Sequence, residues 1–225
     1  MKNVVSIACM CSMTLLLSAC HDTSAMPEKK INPPTQSKPT KPKEPPMESA
    51  YVQADASTLY TDVRSLTRAA DVVLEVDVLS TSVKYDPKGP SVPFTISQVK
   101  VAKVLSGNVQ VGDVLTFEEM GGITTKKAER ERSGRDYPLR KSEENKLVEV
   151  KVNGISVMKK DERVVLFGRK SKDDGMYHVL GGYQGKFSTD GNTFQRAVPR
   201  QDEGLYASLE MTRSILEFEV KQSKQ

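Results

Sequence analysis

Alternation of apolar and polar residues predicts the first two strands of the chain. Residues 72 to 78 place valine or leucine at every second position, with Glu75 and Asp77 between them. This pattern is typical of a strand with one buried face. Residues 92 to 105 also alternate, but their apolar positions change parity at about 97 to 98. One extra residue in a strand has this effect, so the pattern predicts a β-bulge there.

The second half of the chain carries further strand and turn signals. Residues 147 to 157 alternate on both sides of Asn153-Gly154, which predicts a hairpin with a type I′ turn. The continuous apolar run in residues 163 to 170 predicts a central strand. Asp174-Gly175 and Asp190-Gly191 mark two later turns. Six to eight antiparallel strands follow from these signals.

Two segments show helical rather than strand periodicity. Ser57 is a good N-cap residue and precedes apolar residues at helical spacing, which predicts a helix over residues 58 to 69. Residues 203 to 221 predict a closing amphipathic helix. Its apolar stripe comprises Leu205, Leu209, Thr212, Leu216 and Val220. The predicted fold is therefore mainly β, a small antiparallel barrel or rolled sheet with one helix before it and one after it.

The first 20 residues have the layout of an export signal. Lys2 is their only charged residue, and an apolar run from Val4 to Leu17 follows it. The tetrad Leu17-Ser18-Ala19-Cys20 resembles the lipobox of bacterial lipoproteins. That resemblance implies a signal peptide over residues 1–19, cleavage between Ala19 and Cys20, and diacylglycerol and further acyl chains, such as palmitate, on Cys20. It also implies a lipid anchor at the extracytoplasmic face of a cell membrane.

Cysteine and proline usage divides the rest of the chain. The three cysteines all lie within the first 20 residues, so the cleaved chain can form no disulfide and no cysteine metal site. Residues 20–50 hold seven of the twelve prolines and no Phe or Tyr, which predicts a disordered tether behind the lipidated cysteine. A basic arm that touches anionic lipid or wall polymer is the alternative interpretation of its lysines. Residues 51–225 are expected to form a single globular domain.

Charge narrows the range of partners. The formal net charge is +4, which is too small and too diffuse to indicate a nucleic-acid-binding protein. Residues 121–146 concentrate eight Lys or Arg and five acids. This insertion is interpreted as a solvated loop between two strands, or alternatively as a basic lip that contacts an acidic partner.

Several segments together resemble a known group of domains. They are "ADVVLEVDVLS", "VKVAKVLSGNVQVGDVLTF", "MKKDERVVLFGRK" and "GGYQGKFSTDGN". They are similar to lipid-anchored domains of Gram-positive bacteria, which in turn resemble the OB-type barrel of netrin-like and metalloproteinase-inhibitor-like modules. The resemblance implies an OB-like barrel over about residues 70 to 197. Protease inhibition does not follow from it, because those inhibitors act through an N-terminal cysteine next to the barrel, which this chain lacks.

Residues with catalytic chemistry are scarce. The two histidines are His21, in the tether, and His178, in a predicted strand, so no triad and no zinc site is expected. Glu118 and Glu119 are adjacent on a strand and therefore point to opposite faces. We expect no catalytic residue, no metal and no cofactor.

The sequence leaves one candidate recognition patch and two functional hypotheses. The patch comprises Tyr183, Gln184 and Lys186, which follow the glycine doublet 181–182. The first hypothesis is a membrane-anchored binding or adaptor module, whose partner is an envelope protein or a wall polymer. The second is a cell-envelope hydrolase or transferase, in which Glu118 and another carboxylate converge in a cleft.

Overall fold

The chain forms a mainly β structure with three α-helices, in a computed structural model that describes residues 47–55, 57–86 and 91–223. The strands within these ranges are β1 (Glu48–Val52), β2 (Val72–Lys84), β3 (Phe94–Ser106), β4 (Val114–Met120), β5 (Gly122–Thr125), β6 (Leu147–Val152), β7 (Arg163–Lys170), β8 (Tyr177–Val179), β9 (Lys186–Thr189), β10 (Thr193–Arg196) and β11 (Glu210–Thr212). The helices are α1 (Val63–Ala69), α2 (Lys126–Ser133) and α3 (Arg213–Ser223), with short 3₁₀ helices at Lys141–Glu143 and Arg200–Leu205.

Five strands close into a barrel. Their order around it is β7, β2, β3, β4 and β8, and β8 pairs back onto β7. All neighbours are antiparallel except β4 and β8, which run parallel. This arrangement confirms the prediction of a mainly β, OB-like barrel with flanking helices. Strands β9, β10 and β11 extend the sheet outward from β7, and β1, β6 and β5 form a second, three-stranded sheet.

Apolar side chains fill the barrel interior. Alternate residues of β2, from Val72 to Val78, point inward and are buried. They meet Val99, Phe117 and Leu166 from the other strands. The Phe117 ring stacks on the Tyr177 ring with centroids 5.3 Å apart. The interior of the barrel is therefore a packed apolar core, as is typical of small barrels.

The outer face of β2 is buried too, so the prediction of a strand with one buried face is wrong. Helices α1 and α3 cover that face, and Val73 packs against them. Glu75 is 3 % exposed. The Arg213 guanidinium, at the start of α3, donates to its carboxylate at 2.5 and 3.1 Å. These hydrogen bonds hold the pKa of Glu75 below its usual value. A charged residue on this face therefore connects α3 to the barrel.

Both helix predictions are correct in place and wrong in extent. Helix α1 begins at Val63 and is capped by Asp62, whose carboxylate accepts from Ser65 N at 2.7 Å, and not by Ser57. The closing helix begins only at Arg213. Its buried residues Leu216 and Val220 belong to the predicted stripe. The first part of the predicted helix is a 3₁₀ helix up to Leu205, an irregular segment over residues 206 to 209 and then β11, because Glu210–Thr212 pairs with β10.

The register of β3 differs from the predicted bulge. Its inner face continues without interruption as Thr95, Ser97, Val99 and Val101, all buried. The Thr95 hydroxyl donates to Gly121 O at 2.8 Å, so a polar side chain occupies this inner face. The register shift near residues 97 to 98 comes from an extra residue in the partner strand, between Val78 and Ser80.

The turn at Asn153-Gly154 is confirmed. Both residues have positive φ, 53° and 79°, as a type I′ turn requires. The returning strand of this hairpin shrinks to one bridge, between Val152 and Ile155. Strand β6 pairs instead with β5 and, in parallel, with β1. The continuous strand predicted over residues 163 to 170 is also confirmed as β7, which pairs with β2, β8 and β9.

Two boundaries from the sequence change. The insertion 121–146 is not a plain loop, because it contains β5, α2 and a 3₁₀ helix. Residues 48 to 50, assigned to the tether, belong to β1. Ala50 and Val52 pack there against a small cluster that contains Val150. The rest of the predicted tether, and the signal peptide with Ala19 and Cys20, lie outside the described residues.

Candidate functional site

A cleft of about 230 Å³ opens beside the barrel, where the end of β4, the turn after β6 and the loop between β8 and β9 meet. Ala54, Asp55 and Ser57, which follow β1, supply its fourth side. Its lining residues are Ala54, Asp55, Ser57, Glu119, Met120, Val152, Ile155, Ser156, Gly181, Gly182, Tyr183 and Lys186. We refer to this space as the Tyr183 cleft.

The inner wall of the Tyr183 cleft holds a buried ion pair. Lys186 Nζ lies 2.6 Å from Glu119 Oε2, and the two side chains are 7 % and 2 % exposed. Lys186 Nζ also donates to Ser156 O at 2.6 Å. The other Glu119 oxygen accepts from Met158 N. Both carboxylate oxygens are therefore engaged, and two of the three ammonium donors are used.

A turn residue positions the opposite wall. Asn153 Oδ1 accepts from Ala54 N at 3.0 Å, and Asn153 Nδ2 donates to Ala54 O at 2.8 Å. The same amide nitrogen is 3.3 Å from the Tyr183 hydroxyl, which accepts from it. Asn153 thus fixes the backbone next to Asp55 and one polar end of the cleft. Burial and the neighbouring Tyr183 raise the pKa of Tyr206 to about 12, so the Tyr206 phenol stays uncharged at neutral pH.

The groups available to a ligand are few and distinct. Asp55 is exposed at the mouth of the cleft, and its carboxylate has no hydrogen-bond or ion-pair partner among the described residues. Ser57 and Ser156 add hydroxyls, and apolar walls come from Met120 and Ile155. The cleft therefore combines an acidic mouth with an apolar interior.

The structure separates the predicted recognition patch. Tyr183 and Lys186 line the cleft, but Gln184 does not. The Gln184 side chain is fully buried, where its Nε2 donates to Thr58 O at 3.0 Å and its Oε1 accepts from Tyr60 N at 2.7 Å. It fixes the segment before α1 and is not accessible to a ligand.

The adjacent glutamates do point in different directions. Glu119 faces the cleft, whereas Glu118 lies outside its lining. Lys84 Nζ is 2.5 Å from Glu118 Oε2. His178 Nδ1 is 3.5 Å from Glu118 Oε1. The carboxylate convergence required by the hydrolase hypothesis therefore does not involve Glu118.

Asp55, which lines the cleft, and Asn153, which positions its wall, carry no functional signal in the sequence. Asp55 lies in a polar stretch without periodicity, and Asn153 is explained locally by its turn. Their proximity depends on the parallel pairing of β1 with β6, whose residues are about a hundred positions apart. Contacts of that kind leave no local pattern, so only the structure identifies them.

Comparisons with known proteins add no assignment. No family model and no curated protein matches the chain. Within the described residues, no group of three or more His, Cys, Asp or Glu could hold a metal ion. No helix in the same part of the chain is long and apolar enough to cross a membrane.

Proposed function

We propose that this chain is a binding module, held at the outer face of a membrane through acylated Cys20, and that the Tyr183 cleft takes a small ligand. The anchor is inferred from the tetrad Leu17-Ser18-Ala19-Cys20. The ligand site is inferred from the cleft and its charges. An envelope protein or wall polymer presents the ligand group.

One observation carries the proposal of binding rather than catalysis. The most buried ionisable groups of the cleft, Glu119 and Lys186, are bonded to each other and to backbone groups of the same wall. A general acid or base must exchange a proton with substrate. A carboxylate with both oxygens engaged is instead a fixed part of the wall, which suits a rigid binding site.

The available groups indicate the chemistry of the ligand. Asp55 can accept from an ammonium or from hydroxyl groups at the mouth. Met120, Val152 and Ile155 offer apolar contact further in. A volume of about 230 Å³ admits only a small moiety. The matching ligand group is a compact apolar body with one cationic or hydroxyl-bearing end.

The hydrolase or transferase hypothesis has one feature in its favour. Asp55 and Glu119 both line the Tyr183 cleft, so two carboxylates do face one space. However, Glu119 would have to release Lys186 or Met158 before it could act. Turnover of a glycan or peptide substrate that Asp55→Asn abolishes would favour this hypothesis over binding.

The ligand site is tested with small probes. We expect alkylamines and amino alcohols of four to six carbons, screened by ligand-observed NMR against the full chain in detergent, to bind at the cleft. Asp55→Asn should weaken binding about tenfold, because it removes one charge-assisted contact. Asp136→Asn is the matched control, since Asp136 is fully exposed and does not line the cleft. Equal binding by both variants would contradict the assignment.

The anchor is tested separately. We expect cells that express the chain to incorporate an alkyne-labelled fatty acid into it, and Cys20→Ser to abolish that labelling. The variant should leave the membrane fraction, because two or three acyl chains supply the stable attachment that a single chain does not. Cys11→Ser is the control, since Cys11 precedes the predicted cleavage point. Intact mass spectrometry that finds Met1 retained would overturn the anchor.

A further inference from the structure

A second, larger cleft lies on the other side of Gly181. It has a volume of about 530 Å³ and is open to solvent. The end of β7 and the loop between β7 and β8 form one wall, and the segment before α1 forms the other. Its charged residues are Arg169, Lys170, Lys172 and Asp173, and His178 lies beside them. We refer to it as the Arg169 cleft.

The three basic residues of the Arg169 cleft lack carboxylate partners within the described residues. Arg169 donates through Nε and Nη2 to the carbonyl of Ala69, at 3.2 and 2.9 Å. That leaves three of the five guanidinium donors. Lys170 Nζ lies 5.7 Å from the centroid of the Tyr177 ring. Lys172 is exposed in the loop. Asp173 also lines the cleft, so its three cations and one carboxylate give a formal net charge of +2.

The insertion 121–146 contains a dense group of basic residues, but most of them have carboxylate partners. Six of its eight cations form ion pairs with carboxylates of the described chain. These are Lys126, Lys127, Arg130, Arg135, Arg140 and Lys146. Arg132 lies over the Tyr85 ring, 5.1 Å from its centroid. The fold therefore pairs most of this positive charge with its own carboxylates, whereas the three cations of the Arg169 cleft have no such partner in the described part of the chain.

The two walls of the Arg169 cleft offer different donors. Arg169 and His178 occupy paired positions of β7 and β8 and so share one face. The facing segment brings Ser57 and Thr58, whose hydroxyls are exposed. Ser57 and Gly181 line both this cleft and the Tyr183 cleft. The two spaces are therefore adjacent, one with an acidic mouth and one basic.

We infer that the Arg169 cleft binds phosphate groups of an anionic oligomer. Phosphate oxygens accept hydrogen bonds from several directions at once. They therefore match the guanidinium, ammonium and hydroxyl donors that the two walls present. The volume exceeds that of a single phosphate, and the cations lie along the β7 end and the following loop, so successive phosphates of one chain can be contacted. This site is distinct from the ligand site of the proposed function, and it does not require acylation of Cys20.

The test uses short-chain inorganic polyphosphate as the probe, with the full chain carrying Cys20→Ser so that no acyl chain contributes. We expect binding by isothermal titration calorimetry that weakens as salt concentration rises. Lys170→Ala combined with Lys172→Ala should weaken it about tenfold, since exposed ion pairs contribute modestly and two are removed. Lys160→Ala combined with Lys221→Ala is the control, because it removes the same charge at exposed positions outside the cleft.

The outcomes distinguish binding at the Arg169 cleft from binding at other cations, and polyphosphate from lipid headgroups. Loss with the first pair and retention with the second supports the inference. No binding of polyphosphate, or the same loss with both pairs, overturns it. Binding only to vesicles that contain phosphatidylglycerol, and not to polyphosphate, also overturns it, in favour of contact with lipid headgroups. None of these results changes the response of the Tyr183 cleft to Asp55→Asn, so the two proposals fail independently.

Discussion

Replacing Lys186 by methionine should lower the free energy of unfolding by about 3 to 5 kcal/mol, because it leaves the Glu119 carboxylate buried without its counter-charge. Glu119 is 4 % exposed, and the Lys186 ammonium lies 2.6 Å from its carboxylate. The measurement is urea denaturation at neutral pH, compared at equal m-value. For a domain of this size we expect the melting temperature to fall by roughly 10 °C.

A double-mutant cycle separates the ion pair from the packing of Lys186. Glu119→Gln combined with Lys186→Met should be less destabilised than the sum of the two single variants, because no uncompensated charge remains. Arg163→Met is a matched control, since its ion pair with Asp77 is 52 % and 41 % exposed. We expect it to cost about 1 kcal/mol or less. A loss for Lys186→Met no larger than that of Arg163→Met would show that the pair is solvated, and would remove the basis for a rigid cleft wall.

The sequence predicts well those elements whose pattern depends only on neighbouring residues. Strand β7 consists of a continuous apolar run, and the turn at Asn153-Gly154 needs two positive φ values that these residues adopt easily. Both signals lie within a few neighbouring positions. The barrel class follows from them, because several short strands with frequent turns have few ways to bury one common core.

The sequence does not predict features that depend on partners far along the chain. Glu75 looks like a solvent-facing residue until α3 delivers Arg213 from 138 positions away. Thr95 is polar but lies on the inner face of β3, where its hydroxyl donates to the carbonyl of Gly121. In the sequence, a polar residue at this inner position looks like a change in the alternation of apolar and polar residues. In both cases a tertiary hydrogen bond overrides the rule that buried faces are apolar.

The candidate site shows the same division. The glycine doublet near Tyr183 and Lys186 indicates a close approach of backbones, and those two residues do line a cleft. Asp55 joins them only through the parallel pairing of β1 with β6. Likewise the count of charges correctly finds a basic segment at 121–146. It cannot show that the fold pairs most of those cations with carboxylates, or that Arg169, Lys170 and Lys172 have no such partner in the described part of the chain.

The barrel interior permits a second test with a large effect, through the contact between Phe117 and Gly168. Phe117→Ala should lower the free energy of unfolding by about 3 to 5 kcal/mol, because Phe117 is fully buried and its loss leaves a cavity beside Tyr177. Gly168→Ala alone should cost about 1 to 3 kcal/mol by overpacking. Its new Cβ would lie 2.7 Å from Phe117 Cε1 and 3.1 Å from Val72 Cγ2.

The effect of Gly168→Ala on the free energy of unfolding should change sign when Phe117 is replaced by alanine. When Phe117 is already alanine, the added methyl group at position 168 enters the vacated space, so Gly168→Ala should then raise the free energy of unfolding. Gly168 has no positive φ, so backbone strain does not obscure this comparison. Gly175→Ala is the contrasting control, because its φ of 73° is unfavourable for alanine whereas no atom lies within 4 Å of the added Cβ. Its cost should be the same with either residue at position 117. Equal destabilisation by Gly168→Ala with phenylalanine and with alanine at position 117 would mean that Phe117 does not contact Gly168 of β7. The interior of the five-stranded barrel would then not be packed as described.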